Sequence, residues 1–128
     1  PAGGVITALK GLTLDSPDKV HVFFTHGSEK VGNWQEALDC FATRLAIPTE
    51  NVCDASKLSA EEYQRLLISS PAVEKDREIP VIDMILLGIG NDGHCGALHP
   101  ASDAIRCTGE GKVVIALKEG DKAGPGVA

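Results

Sequence analysis

The stretch VIDMILLGIGNDGH, residues 81–94, joins an apolar run to a glycine-rich turn. Val81–Leu87 is apolar throughout except for Asp83, a pattern typical of a parallel strand that is covered on both faces. Three glycines follow within six residues, and they allow the backbone to bend sharply. The sequence therefore predicts a central strand of a sheet that ends in a turn, at the strand end where α/β sheets place their functional crevice.

The patterns upstream of this strand alternate between strand and helix. Val20–Phe24, with the sequence VHVFF, is rich in β-branched and aromatic residues and predicts a strand. Apolar residues at helical spacing predict an amphipathic helix over 33–46. Ser59 and Glu62 form an S-x-x-E capping box that begins a second helix, which ends near Ser69. This alternation predicts an α/β layered fold with a mostly parallel, doubly wound (Rossmann-like) sheet flanked by helices.

The composition limits the class of protein. A length of 128 residues suits one domain with its own core, so residues 1–128 are interpreted as a single α/β domain or a piece of one. The net charge of -6 disfavours nucleic acid and anionic membranes as partners, because both require a cationic face. The four cysteines form no C-x-x-C pair, which favours free thiols over disulfides. A polar linker is predicted over 71–78 and a loop over 119–128.

The three glycines of the turn match the dinucleotide-binding pattern G-x-G-x-x-G, but their context does not. A dinucleotide fold needs a long helix after the turn and an acidic residue about 20 positions further on. Here Pro100 follows soon after the turn, and the corresponding position lies in the apolar run VVIAL. The pattern alone therefore does not indicate a dinucleotide site.

Asp92 and His94 within the turn have two interpretations. They could project from the strand end as a general base with a carboxylate beside it. Alternatively, Asp92 could cap a helix that begins near Gly93, with His94 an ordinary polar residue in its first turn. A zinc site built from His94, Cys95 and His99 would need a further ligand, which the spacing does not supply.

Several segments in order resemble one enzyme family. IDMILLGIGNDGHCGALHP, residues 82–100, resembles the signature of the 6-phosphogluconolactonase family and, more distantly, that of glucosamine-6-phosphate isomerase/deaminase. GGVITALKGL resembles the family's phosphate loop and the helix after it, and LAIPTENV resembles its IP-x-x-NV segment. CTGEGKVVIALKEGDKAGPGVA resembles its later TG-x-x-K segment. Most of the chain is covered by the resemblance.

The resemblance implies hydrolysis of 6-phospho-D-glucono-1,5-lactone to 6-phosphogluconate in the pentose phosphate pathway. His94 would be the base that activates water, and Asp92 would orient it. Backbone N–H groups of the turn, at Gly90 and Gly93, would meet the developing oxyanion. The resemblance calls for no metal and no organic cofactor, and it implies a cytoplasmic protein, with a plastid as the alternative.

The same resemblance assigns groups that hold the substrate's phosphate. Gly3 and Gly4 would cradle it at a helix N-terminus, where backbone N–H groups point outward. Lys112 would supply a point charge, with Lys30 and Arg106 as weaker candidates.

The chain also departs from the family pattern. Val5 stands where the phosphate loop usually has a hydroxyl residue, Ser28 replaces an acid, and CGALHP replaces TASLFP. Family members are about twice as long, so the domain is expected to be incomplete at its N-terminus and between about residues 100 and 107. These departures leave a second hypothesis, a catalytically inactive lactonase-like scaffold or binding subunit with protein partners. A sugar-phosphate isomerase/deaminase would need an acidic residue where His99 stands, and is disfavoured.

Overall fold

The computed structural model describes residues 12–27, 32–76, 79–107, 111–118 and 125–128. Helix α1 spans Asn33–Ala37 and continues as the π-helical turn Leu38–Ala42, and helix α2 spans Ala60–Ser69. The strands of the described ranges form two antiparallel pairs. These are β1, Glu74–Asp76, with β2, Ile79–Val81, and β3, Ala116–Leu117, with β4, Gly126–Val127. Single 3-10 turns lie at Pro17–Lys19, Thr49–Asn51, Ala55–Lys57 and Ala104–Arg106.

Helix α1 confirms the first helix prediction in position but not in its hydrogen bonding. The N–H of Thr43 donates to the carbonyl of Leu38 at 3.2 Å, and the N–H of Ile47 donates to the carbonyl of Ala42 at 2.9 Å. In both bonds the acceptor lies five residues before the donor, as in a π-helix. Ala46 then adopts a φ of 57°, which reverses the chain just before Pro48. The helix therefore ends at Ala42, and a turn carries the chain to Ala46.

Helix α2 confirms the second helix prediction and its cap. The N–H of Glu62 donates to Ser59 Oγ at 3.2 Å, and the N–H of Ser59 donates to Glu62 Oε2 at 2.9 Å. Two N–H groups that a helix start leaves unpaired are thereby satisfied. Ala60 and Tyr63 face the interior from this helix, so the cap fixes where the buried face begins.

Two apolar clusters make up the core. The first cluster is built on Ala37, Ala42, Leu45, Ile47 and Val52, and the second on Ala55, Ala60, Tyr63, Val114 and Val127. The predicted strand 20–24 runs between them, and Phe24 packs against both. Among the described residues, only one parallel bridge forms in it, between Val22 and Val52. The predicted strand is therefore represented by a single bridge. Helix α1 lies between the two bridged segments, as a parallel connection requires.

The hydroxyl of Tyr63 takes the place of a strand neighbour for Phe24. It accepts a hydrogen bond from the N–H of Phe24 at 2.9 Å and donates one to the carbonyl of the same residue at 2.8 Å. The side chain of Tyr63 is buried, and this burial raises the pKa of the phenol. Both backbone groups of Phe24 are therefore satisfied without a full ladder.

The prediction of a covered parallel strand over Val81–Leu87 is wrong in this structure. Residues 82–88 belong to no strand, and Met84 and Leu86 are 72% and 59% exposed. An apolar run becomes a buried strand only where other segments pair with it and cover its faces. In the described ranges, no strand pairs with these residues.

Two segments predicted as loops contain strands. Within the predicted linker 71–78, Val73 is buried, and β1 pairs with β2 directly after it. Within the predicted loop 119–128, residues 119–124 lie outside the described residues, but β4 pairs with β3 and buries Val127. Both predictions rested on polar, glycine or proline residues, and short antiparallel pairs tolerate such residues because one face stays in solvent.

Gly27 is a position where only glycine fits. Its N–H and carbonyl pair with Val127 at 3.0 and 2.8 Å, and a Cβ would lie 2.6 Å from the backbone carbon of Ala55. We expect Gly27→Ala to lower the free energy of unfolding by about 3 kcal/mol, because the backbone of one segment would have to move. Urea unfolding midpoints measure this change.

Gly32→Ala is the matched control. A Cβ at Gly32 meets no atom within 4 Å, and this residue precedes α1 with a φ of -72°. The substitution should change the free energy of unfolding by less than about 1 kcal/mol. Equal losses in the two variants would show that close contact with Ala55 is not the cause.

Candidate active site

The glycine turn is held by its own backbone. The N–H of Gly90 donates to the carbonyl of His94 at 2.9 Å, and the N–H of Gly93 donates to the carbonyl of Gly90 at 2.9 Å. Gly93 has a φ of +85°, a left-handed conformation that residues with side chains rarely adopt. These bonds close a compact loop whose two ends are Gly90 and His94.

Within this loop, Asp92 and His94 are paired. Asp92 Oδ1 lies 2.5 Å from His94 Nδ1 and also accepts the N–H of His94 at 3.3 Å. No helix begins near Gly93 in the described residues, and the next helical turn is Ala104–Arg106. The interpretation of Asp92 as a helix cap is therefore wrong, and the two residues form the carboxylate–imidazole pair of the alternative.

The ring of His94 lies directly over Gly90. A Cβ added to Gly90 would lie 2.9 Å from His94 Nε2 and would overlap Cε1 and Nδ1 of the same ring. Gly90 is thus needed less for its own backbone angles than for the space that its missing side chain leaves. The turn places the imidazole by leaving room for it.

A second imidazole joins the pair. His99 Nδ1 lies 3.2 Å from Asp92 Oδ2, and the ring centroids of His94 and His99 are 4.4 Å apart with a tilt of 35°. Cys95 and Leu98 exchange backbone hydrogen bonds of 3.3 and 2.9 Å, which fold the chain back and bring His99 beside Asp92. The contact between His99 and Asp92 was not predicted from the sequence. The departure from the family's TASLFP pattern at His99 was a signal that could have indicated it.

The Asp92–His94–His99 cluster is open to solvent on one side. The side chains of His94 and Asp92 are 38% and 39% exposed, whereas that of His99 is 15% exposed. A carboxylate can only accept hydrogen bonds, so each Nδ1 that faces it carries a proton. In each neutral ring the lone pair then lies on Nε2, the nitrogen that can take a proton from a reacting group.

The turn rests on the segment that leads into Gly27. Gly96, with a φ of +54°, lies against Thr25, where a Cβ would be 3.6 Å from the Thr25 carbonyl oxygen. Burial lowers the pKa of the neighbouring His26, and the charge of His99 lowers it further. The protonated form of His26 is therefore disfavoured beside the glycine turn.

Four other predicted site residues belong to other parts of the sequence. Gly3, Gly4 and Lys30 lie outside the described residues. Lys112 is exposed, on a segment that Gln64 of α2 holds by three hydrogen bonds, to Gly111, Val113 and Val114. The N–H groups of Gly90 and Gly93 both donate within the turn, so their contact with substrate stays a prediction.

A groove of about 640 Å³ lies elsewhere on the surface. His21, Trp34 and Lys57 are among the residues that line it, and no residue of the glycine turn does. Trp34 packs against the first cluster and donates from Nε1 to the carbonyl of Val52 at 2.9 Å. The carboxylate–imidazole pair therefore lies outside this groove.

Two further observations concern the part of the chain that the structure describes. All four cysteines are free thiols, as predicted. Of the helices in the described ranges, none has the length and apolar character needed to span a lipid bilayer.

Comparison with known proteins fixes the family. The family model described as glucosamine-6-phosphate isomerases/6-phosphogluconolactonase matches residues 17–126, which include the glycine turn, the first apolar cluster and all of the second except Val127. The chain belongs to this family. The resemblance seen in the sequence is thereby confirmed, and membership assigns the chain to the α/β class.

Two curated relatives carry the lactonase name. The 6-phosphogluconolactonase of Nostoc sp. is 31% identical over 106 residues, covering 70% of this chain and 41% of that protein. The protein 6-phosphogluconolactonase 3, chloroplastic, of Arabidopsis thaliana is 26% identical over 141 residues, covering 94% of this chain and 43% of that protein. The chain thus spans about two fifths of the length of these relatives. No solved structure matches it.

Proposed function

We propose that this chain carries the catalytic loop of a 6-phosphogluconolactonase, which hydrolyses 6-phospho-D-glucono-1,5-lactone to 6-phosphogluconate. The observation that carries the proposal is the contact of 2.5 Å between Asp92 Oδ1 and His94 Nδ1. It supplies an oriented base in the segment that resembles the family signature. The names of both curated relatives support the choice of substrate.

His94 acts as a general base in the proposed mechanism. Asp92 keeps the proton on Nδ1, so Nε2 takes a proton from water while the water oxygen attacks the lactone carbonyl carbon. The tetrahedral intermediate then breaks the bond to the ring oxygen, and the imidazolium returns its proton to that oxygen. The product is the open-chain acid, and no metal or organic cofactor takes part.

Binding of the substrate relies on groups that the family pattern assigns. Gly3 and Gly4 cradle the phosphate, and Lys112 and Lys30 supply positive charge, which matters because the net charge of -6 repels an anionic substrate. By the same pattern, Gly90 and Gly93 lie close to the reacting carbonyl of the bound lactone. These assignments extend the proposal beyond the Asp92–His94 pair.

The same proposal includes the architecture of the complete domain, its location in the cell and its partner. The complete domain has a mostly parallel, doubly wound sheet, and residues 1–128 supply part of that domain. The protein works in the cytoplasm or a plastid, and the chloroplastic relative supports the second location. Its partner is a small phosphorylated sugar lactone, with no role for nucleic acid or membrane.

The test is hydrolysis of the phosphogluconolactone, followed by acid release at constant pH, with and without the protein. Because the lactone opens spontaneously, the rate in buffer is subtracted. We expect acceleration that is proportional to protein concentration and saturates with substrate. Equal rates with and without the protein would end the enzyme hypothesis and favour a lactonase-like scaffold or binding subunit.

A further inference from the structure

The Asp92–His94–His99 cluster has a geometry that goes beyond the needs of a general base. One carboxylate faces two imidazoles, with Asp92 Oδ1 and Oδ2 at 2.5 and 3.2 Å from the two Nδ1 atoms. A carboxylate oxygen and one nitrogen from each ring all lie within 4.8 Å of one another. Orienting His94 alone would not require the second imidazole.

The donor set matches a class of metal ion. Imidazole nitrogen and carboxylate oxygen are ligands of Zn²⁺ and of other divalent first-row transition metals, whereas Mg²⁺ and Ca²⁺ prefer sites made of oxygen. Around a tetrahedral zinc ion, with ligands at about 2.0–2.2 Å, neighbouring donor atoms are about 3.3 Å apart. Movements of about 1 Å would bring the three donor atoms of this cluster to that spacing.

The backbone holds the three donors before any ion arrives. Gly90 fixes the ring of His94 by its missing side chain, and the mutual hydrogen bonds of Cys95 and Leu98 set the position of His99. The partial exposure of His94 and Asp92 leaves an entry path and room for water as a remaining ligand. The site therefore has fixed ligands and an open side.

We propose that Asp92, His94 and His99 bind a divalent transition metal ion, with Zn²⁺ as the best fit, and that this ion inhibits the proposed base. An imidazole that coordinates metal through Nδ1 carries its proton on Nε2. His94 then has no lone pair with which to take a proton from water. The sequence suggested His94, Cys95 and His99 as an incomplete zinc site, whereas the structure brings Asp92 together with His94 and His99, and water would complete the coordination.

Titration of the metal-free protein with Zn²⁺ and with Co²⁺ tests the proposal, by calorimetry and by visible absorption. We expect one ion per chain, and His99→Phe to weaken binding about 100-fold or more, because a lost ligand should cost at least as much as a lost supporting hydrogen bond. Phenylalanine keeps an aromatic ring against His94. The exposed His21 lies outside the cluster, so His21→Phe is the matched control and should bind like the original protein.

Two outcomes would overturn the proposal. One is equal affinity of the original protein and the His99→Phe variant, and the other is the sulfur-to-cobalt charge-transfer absorption that shows thiolate ligands. Nitrogen NMR of the unaltered protein covers the case in which the variant does not fold. Zn²⁺ should shift Nδ1 of His94 and His99 and leave His21 unchanged, and the reverse pattern would also overturn the proposal.

No lactone is present in these binding experiments. The result is therefore independent of whether the protein is a lactonase, and a failure of either proposal can be recognised separately. If hydrolysis is observed, the second half of the proposal requires Zn²⁺ to inhibit it at the concentration that saturates the site, and inhibition should be reversed by a chelator.

Discussion

His94→Ala should abolish the acceleration of lactone hydrolysis over the spontaneous rate. A positioned general base contributes about 10²- to 10⁴-fold to such a reaction, and in this turn only His94 combines contact with Asp92 Oδ1 and the ring position above Gly90. The measurement is the initial rate of acid release with saturating lactone, after subtraction of the rate in buffer. Removing the imidazole leaves the backbone of the loop in place, so the loss should appear in kcat.

Gly32→Ala serves as the control for this experiment, because Gly32 lies at the start of α1 and belongs to no part of the proposed site. Its rate should match that of the original protein. Full activity in His94→Ala would contradict the assignment of the base and would direct attention to another group of the loop.

Gly90→Ala should lower the rate nearly as much as removal of the imidazole itself. The added methyl group would occupy the position of the His94 ring, whose Nε2 is 2.9 Å from an ideal Cβ at this residue. The ring must then move by more than 1 Å, and misplacement of that size can cost about 100-fold in rate. Kinetics of the variant, with circular dichroism to verify folding, measure the effect.

The comparison with Gly32→Ala again separates the site from the general cost of replacing glycine, since a Cβ at Gly32 meets no atom within 4 Å. A folded Gly90→Ala protein with unchanged kinetics would mean that the position of the ring seen here is not the one used in catalysis. If the ring is displaced as expected, Gly90→Ala should also bind Zn²⁺ more weakly, because His94 would no longer face Asp92.

Local chemistry was predicted correctly from the sequence. The capping box of Ser59 and Glu62 involves residues three positions apart, and such short-range hydrogen bonds form whatever the rest of the chain does. The position of α1 followed from apolar spacing for the same reason. Its π-helical continuation was not predicted, because the spacing of apolar residues does not reveal which carbonyl each N–H selects.

Contacts between distant segments were predicted less well. The apolar run 81–87 predicted a strand buried on both faces, but its burial depends on segments from elsewhere in the chain. Likewise, β4 pairs with β3, and Val127 also bridges to Gly27, but the composition of GPGVA predicts neither partner. Sheet pairing is a property of two segments, so one segment's composition cannot decide it.

The candidate site was predicted in part from the sequence. Asp92 and His94 are two residues apart, and their pairing was one of two interpretations that spacing allowed. His99 joins them only because the chain reverses at Gly96 and Ala97, which have φ values of 54° and 69°. A left-handed conformation at alanine is uncommon, and the sequence gives no sign of it.

The two clusters of the interior each contain one chromophore. The only tryptophan of the chain, Trp34, packs against the first cluster, and the only tyrosine, Tyr63, is buried in the second. Fluorescence of the indole and ultraviolet absorption of the phenol are therefore separate optical reporters for the two halves of the core, without any label. Phe24 packs against both clusters, so a substitution there should change the signals of both reporters.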